Sequence, residues 1–140
     1  MATRIFTLFL LLTFALSVFA QTAQKTFSKS FNTDGAGLVR LHVPGPVDLK
    51  VWNQPYVRVE VSVRLPSGNM SLLNELAGAG RYNLTAQTQG GALSIDAPNL
   101  QKVIRIKGEE LREDVRFTVF VPKDMEIVMP NPGIVAGERN

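Results

Sequence analysis

The chain has 140 residues, with 15 Lys and Arg against 12 Asp and Glu, a single His and no Cys. This length suits one small domain with a modest core. The lack of Cys excludes a disulfide framework, a thiol nucleophile and a Cys-based zinc site. Because no catalytic or ligand-binding motif stands out, we predict that the protein is not an enzyme and has no catalytic residues, no cofactor and no bound metal.

Residues 1–20 are predicted to be a secretory signal peptide. Arg4 supplies the positive charge, residues 5–19 form an uncharged run rich in Leu and Phe, and Val18 and Ala20 form a small-residue cleavage site before Gln21. An uncleaved membrane anchor is the alternative, although the run is shorter than the ~20 residues that span a bilayer. We therefore expect an exported protein without a transmembrane span after cleavage. Because a secreted domain without Cys is more typical of bacteria, the expected location is the periplasm, the outer cell envelope or the extracellular space.

Without this segment the chain is less hydrophobic and nearly neutral. Fifteen of the first twenty residues are hydrophobic, and four of the eight Phe lie there. The remaining 120 residues carry 14 basic and 12 acidic side chains, a net charge of +2. Because the basic residues are interleaved with acidic ones, the pattern does not fit a nucleic-acid-binding surface.

Alternation of apolar and polar residues dominates residues 21–129, which we predict to form a single β domain. It is clearest in residues 56–65, where five apolar side chains alternate with Arg, Glu and Ser. Successive side chains of a strand point to opposite faces, so such a segment has one buried and one solvated face. Weaker alternation occurs in residues 39–43, 47–51, 82–86, 93–95, 103–106, 115–121 and 125–129. Short strands separated by turns predict an all-β fold, which we expect to be a two-sheet sandwich or a short, solenoid-like β-roll.

Residues 71–79 have a helical pattern instead. Ser71 is the expected N-cap, Leu72 and Leu76 share one face, and Gly80 follows as a stop signal. We expect this short helix to cover the open side of a sheet. Residues 130–140 have little alternation and are predicted to be a flexible tail.

A strand, a proline and a second strand occur twice, around Pro44 and around Pro122. Proline cannot donate a hydrogen bond to a neighbouring strand. We therefore expect both prolines at corners where the chain leaves one sheet for the other.

Few residues could carry chemistry. His42 lies at an outward strand position, which fits an exposed histidine better than a general base, because a base needs a nucleophile and an orienting acid nearby. The densest carboxylates, Glu109, Glu110, Glu113 and Asp114, lack the spacing of a calcium loop, so a solvated charged turn is predicted.

Trp52 and Tyr56 flank the turn at residues 53–55. Aromatic residues beside an exposed turn can form a contact surface for a protein or a carbohydrate, or they can cap the end of a core. Both interpretations are compatible with the sequence.

Several short segments resemble a bacterial family of secreted putative adhesins, a domain of unknown function related to the head GIN domain auto-transporter adhesins. They are residues 27–31 (FSKSF), 47–52 (VDLKVW), 57–61 (VRVEV), 91–95 (GALSI), 111–115 (LREDV) and 119–123 (VFVPK). The resemblance covers residues 25–129 and implies a β-rich domain without established catalytic residues. Family members continue after the VPK strand into repeats that build a solenoid, and we expect those repeats, with any adhesive surface in them, to be absent here.

The predicted function is therefore that of a non-enzymatic secreted or cell-envelope protein, adhesin-like, which contacts a protein or glycan partner. Trp52 and Tyr56 are its candidate contact residues. Two alternatives are a structural or assembly role through an exposed strand edge, and a hydrolase that would depend on His42 and the carboxylates.

Overall fold

The computed structural model describes residues 22–129. The predicted signal peptide and the predicted tail lie outside the described residues. The elements in chain order are β1 (Ala23–Asn32), β2 (Leu38–His42), β3 (Val47–Trp52), β4 (Tyr56–Leu65), α1 (Met70–Gly78), β5 (Thr85–Gln89), β6 (Ala92–Asp96), a 3-10 helix (Pro98–Gln101), β7 (Arg105–Ile106), β8 (Glu109–Glu110), β9 (Asp114–Pro122) and β10 (Glu126–Val128).

The strands form two four-stranded sheets and a small hairpin. The first sheet has the order β1-β4-β9-β3, and the second has the order β10-β2-β6-β5. Strands β7 and β8 pair only with each other in the part of the chain described. This arrangement confirms the predicted all-β fold with two sheets and one short helix.

The core lies between the apolar faces of the two sheets. In the first sheet the valines of β4 are buried against their partners on β9, as in the pairs Val59–Val119 and Val61–Phe117. Leu41 and Ile95 of the second sheet, and Leu73 of the helix, belong to the same hydrophobic cluster. Fully burying one such side chain contributes about 1.5–3 kcal/mol, so strands with one valine-rich face stabilise the structure without disulfides.

Both predicted proline corners are confirmed. Pro44 lies between β2 in the second sheet and β3 in the first, and Pro122 ends β9 before the chain crosses to β10. The two strand–proline–strand units also lie side by side. Strand β3 runs parallel to β9, and β10 runs parallel to β2.

Strand β1 was not predicted from the alternation. Its Lys25 and Lys29 are register partners of Val63 and Val59, and therefore share the face of the sheet that those buried valines occupy. Lysine at inward positions breaks the apolar–polar pattern on which the strand predictions depend.

Several element boundaries differ from the predictions, and the strand predicted at residues 103–106 begins only at Arg105. The helix is capped by Asn69, not Ser71, because the Asn69 backbone is extended and its Oδ1 accepts a hydrogen bond from the Leu72 N–H at 2.9 Å. The strand predicted at residues 82–86 begins only at Thr85. No helix within residues 22–129 has the length and hydrophobicity needed to cross a membrane.

Candidate functional site

Trp52 and Tyr56 meet at one end of the first sheet. Strand β9 lies between β3 and β4, so the turn at residues 53–55 passes the end of β9, where Trp52 is paired with Pro122. The Trp52 indole N–H donates a hydrogen bond to the backbone carbonyl of Tyr56 at 2.9 Å. The two rings pack edge to face, with centroids 4.9 Å apart and an interplanar angle of 76°. The indole orientation is therefore defined by both a hydrogen bond and ring packing.

Phe120 adds a third ring to this pair. Its centroid is 5.1 Å from that of Trp52. In the strand register Phe120 lies between Lys50 of β3 and Arg58 of β4, and the Lys50 Nζ is 5.8 Å from the centre of its ring. We call Trp52, Tyr56, Phe120, Lys50 and Arg58 the aromatic face.

The aromatic face is on the outer side of the first sheet. Val119 and Val121 point into the core, so Phe120 between them points outwards. The three rings are half-buried, and none belongs to the hydrophobic core cluster. Alternation in residues 115–121 predicts an outward position for Phe120 but does not place it beside Trp52. The available signal was an aromatic side chain at a solvated position of an alternating strand.

Arg58 is oriented by its neighbours on the same face. Its Nε donates a hydrogen bond to the Ser28 hydroxyl at 2.8 Å, and its Nη2 lies 3.2 Å from Glu60 Oε1. Both partners are on strands of the first sheet. Lys50, at the edge of the aromatic face, is exposed.

His42 lies on the outer side of the second sheet, at the outward position predicted. Its Nδ1 is buried, lies 3.4 Å from Asp96 Oδ1 and makes no hydrogen bond to any described residue. On the far side of Asp96, the strand register places Thr85. Two strand spacings separate Thr85 from His42, a distance of ~10 Å. The acid therefore lies between the imidazole and the hydroxyl, and this row does not form the nucleophile–base–acid order of a triad.

The four carboxylates of the predicted charged turn do not converge. Glu109 and Glu110 are exposed on β8, whereas Asp114 forms an exposed ion pair with Arg64. Glu113 is buried, so the prediction of a solvated turn is wrong at this position. Within residues 22–129, no group of three or more His, Cys, Asp or Glu side chains is placed to hold a metal ion.

Glu113 is buried because Arg81 pairs with it. The side chains are 8% and 7% exposed, and Arg81 Nη2 lies 2.6 Å from Glu113 Oε1. Arg81 Nη1 also donates hydrogen bonds to the backbone carbonyls of Asn99 and Lys102. A buried charge is tolerated when it is paired and hydrogen-bonded in this way. The sequence pattern gave no sign of a partner at residue 81.

Tyr82 completes this buried cluster. Its hydroxyl donates a hydrogen bond to Glu113 Oε2 at 2.7 Å, and its ring stacks on Phe27 with a centroid distance of 5.3 Å. Burial raises the pKa of Tyr82 well above its usual value, and the hydrogen bond to Glu113 raises the pKa further. The cluster joins the segment after α1, the 3-10 helix and the start of β9.

An open cleft of about 470 Å³ lies beside the cluster and is lined by Arg81, Glu113 and the corner at residues 44–46. The guanidinium and the carboxylate at this cleft bind each other and neighbouring groups. We therefore interpret the buried cluster as structural.

Comparison with known proteins gives little guidance. No family model and no curated protein matches this chain. The solved structures include a match to a putative cell adhesion protein from Clostridium sporogenes, with 12% sequence identity and a TM-score of 0.42. The match covers 76% of this chain and 45% of the other. It is too distant to assign a fold family or a function, and the resemblance to secreted adhesins stays a prediction.

Proposed function

We propose that this protein is a non-enzymatic contact protein of the cell envelope or extracellular space, which binds a protein or glycan surface through the aromatic face. The observation that carries the proposal is the cluster of three half-buried rings on the outer side of the first sheet, outside the core. The predicted signal peptide supports export, and the motif resemblance to secreted adhesins supports a role in surface contact.

The chemistry of the aromatic face suits such a role. Aromatic rings present a large apolar area together with a polar edge, which is why they are frequent at contact surfaces. Lys50 adds an exposed positive charge beside Phe120 and favours a partner with acidic groups, whereas Arg58 is already paired with Glu60. Because strand pairing and ring packing already order Trp52 and Phe120, binding would cost little conformational entropy.

The test is binding of the purified protein to envelope fractions, to immobilised glycans and to immobilised envelope proteins. We expect Phe120→Ala and Trp52→Ala to weaken binding about tenfold or more, as is typical of aromatic anchors. Val103→Ala is the matched control, because Val103 is an exposed apolar residue outside the aromatic face. Circular dichroism verifies that each variant is folded. Full binding by both folded aromatic variants, or no binding by the wild type, would contradict the proposal.

A different observation favours the assembly alternative. Strand β3 forms one edge of the first sheet and carries two exposed apolar residues, Leu49 and Val51. Such an edge can pair with a further strand. The hydrolase alternative has no comparable support, because His42 and the carboxylates lie in separate arrangements.

A further inference from the structure

The two edge strands of the first sheet differ in the side chains that they place on the inner face. On β1 this face carries Lys25 and Lys29, and the Lys29 ammonium donates a hydrogen bond to the Leu84 carbonyl at 2.8 Å. Inward-pointing lysines on an edge strand hinder the pairing of a further strand, because pairing would desolvate their charge. Strand β1 is therefore protected against edge-to-edge contact.

Strand β3 has no such protection. Its inner-face residues are Val47, Leu49 and Val51, which are 7%, 40% and 61% exposed. Their register partners on β9, including Val119 and Val121, are completely buried. The apolar side of β3 thus becomes more exposed along the strand, a feature that natural edge strands generally avoid.

The backbone of β3 is also available for pairing. The Phe117 N–H donates to the Pro46 carbonyl at 2.9 Å, so the polar groups of Pro46 and of every second residue after it face β9. The N–H and C=O groups of Val47, Leu49 and Val51 therefore point to the other side. Among residues 22–129 no strand occupies that side.

We propose that the free edge of β3 binds the β3 edge of a second copy of this chain. The two strands run antiparallel about a two-fold axis at Leu49, and the two first sheets become one continuous sheet. In this register Leu49 faces Leu49 of the second copy, and Val47 faces Val51. Each of these residues directs its backbone polar groups to the free edge, so each facing pair exchanges both of its hydrogen bonds.

Charge selects this register. The register centred on Leu49 places Asp48 of each copy opposite Lys50 of the other on the outer face, so two such pairs form. The two neighbouring registers that preserve the hydrogen bonding place Asp48 opposite Asp48, or Lys50 opposite Lys50. Opposite charges stabilise cross-strand pairs and like charges destabilise them. The segment Val47–Trp52 is therefore complementary to itself in apolar side chains, in charge and in backbone hydrogen bonding.

This dimer is a specific form of the assembly alternative, in which the β3 edge pairs with a second copy of the chain. It does not depend on binding by the aromatic face. A six-residue edge offers a small interface, so we expect a weak dimer. Sedimentation equilibrium of the purified protein from about 10 µM to about 1 mM measures a dissociation constant in the range expected of a weak dimer.

Charge exchange tests the register. We expect Asp48→Lys, and separately Lys50→Asp, to weaken the dimer at least about tenfold, because each creates two like-charge pairs. An equimolar mixture of these two variants, and the double variant Asp48→Lys/Lys50→Asp, should recover the wild-type affinity. Glu109→Lys is the matched control, since it makes the same charge change on the exposed β8. Leu49→Lys, which copies the lysines of β1 onto β3, should abolish the dimer.

Amide hydrogen exchange tests the edge itself. The Leu49 and Val51 amides should become protected as protein concentration rises, whereas the Asp48 and Lys50 amides, which face β9, should not change. A monomer throughout the concentration range would overturn the inference, as would a dimer that tolerates the charge exchanges. Protected Leu49 and Val51 amides in a monomer would overturn it too, because another segment of the chain would then cover the edge. The binding assay of Phe120→Ala and Trp52→Ala tests the aromatic face separately, and Lys50→Asp, which changes a residue of that face, is measured here for dimerisation only.

Discussion

Neutralising the buried carboxylate, Glu113→Gln, is expected to destabilise the protein severely. Glutamine preserves the size and shape of the side chain, so the change removes charge without leaving a cavity. Arg81 would then hold a positive charge at 8% exposure without a counter-ion. The perturbation thus separates the electrostatic contribution of the pair from its packing.

The magnitude follows from the contacts of both side chains. Removing one partner of a buried ion pair costs about 3–5 kcal/mol. Arg81 Nη1 keeps its acceptors, the carbonyls of Asn99 and Lys102, which places the expected loss near the lower end. The single amide oxygen of glutamine can replace only one of the two carboxylate oxygens, which accept from Arg81 and from the Tyr82 hydroxyl, so one of these donors would face the amide NH2 group. We expect a loss of about 3 kcal/mol in the free energy of unfolding.

Urea denaturation near neutral pH measures this loss. Far-UV circular dichroism reports the sheets, and fluorescence of the single tryptophan, Trp52, reports the end of the first sheet. The denaturation midpoint should decrease without a change in slope if the native state stays equally compact.

The neighbouring residue supplies the control. Asp114 pairs with Arg64 through side chains that are 49% and 52% exposed, so Asp114→Asn should cost less than about 1 kcal/mol. Equal losses for Glu113→Gln and Asp114→Asn would refute the reasoning, because burial would then not determine the strength of these two pairs. A stable Glu113→Gln protein would refute it as well.

Three further predictions concern the cluster, the helix and the core. The raised pKa of Tyr82 contributes stability that is fully present below the unfolded pKa of about 10 and is lost as pH rises above that value. Between pH 9 and 11, urea titrations should therefore show a smaller loss of stability for Tyr82→Phe than for the wild type. Asn69→Ala should destabilise the protein by about 1 kcal/mol in thermal or urea unfolding, and Ser71→Ala by clearly less, because Asn69 is the N-cap. Leu41→Ala should cost about 2–5 kcal/mol and lower the circular dichroism and Trp52 fluorescence transitions together, since both sheets share one core; separate transitions would contradict this.

Local sequence pattern predicted much of the fold. Alternation located β4 and β9 because each has one face on a solvated side and one in the core. The prolines located both crossings between sheets, since a residue without an N–H is poorly suited to the middle of a ladder. The helix was located by its leucine spacing, although its cap was placed two residues too late.

The candidate sites were predicted only in part. Trp52 and Tyr56 are near in sequence, so their proximity could be expected from the turn between them. Phe120 joins them because β9 lies between β3 and β4, which alternation does not specify. Strand β1 was not predicted because Lys25 and Lys29 interrupt its apolar–polar alternation. An edge strand can carry charged residues on the face that is apolar in a central strand.

The sequence by itself determined the all-β class, the valine-rich core strands and the corners of this protein, because these depend on side-chain alternation and on proline within a few residues. Only the tertiary structure decided which strands are neighbours. That choice buried Glu113 against Arg81, placed Phe120 beside Trp52 and left β3 at an edge with Leu49 and Val51 exposed. Each outcome depends on residues far apart in the chain, whose contact energies are realised only after the sheets have paired.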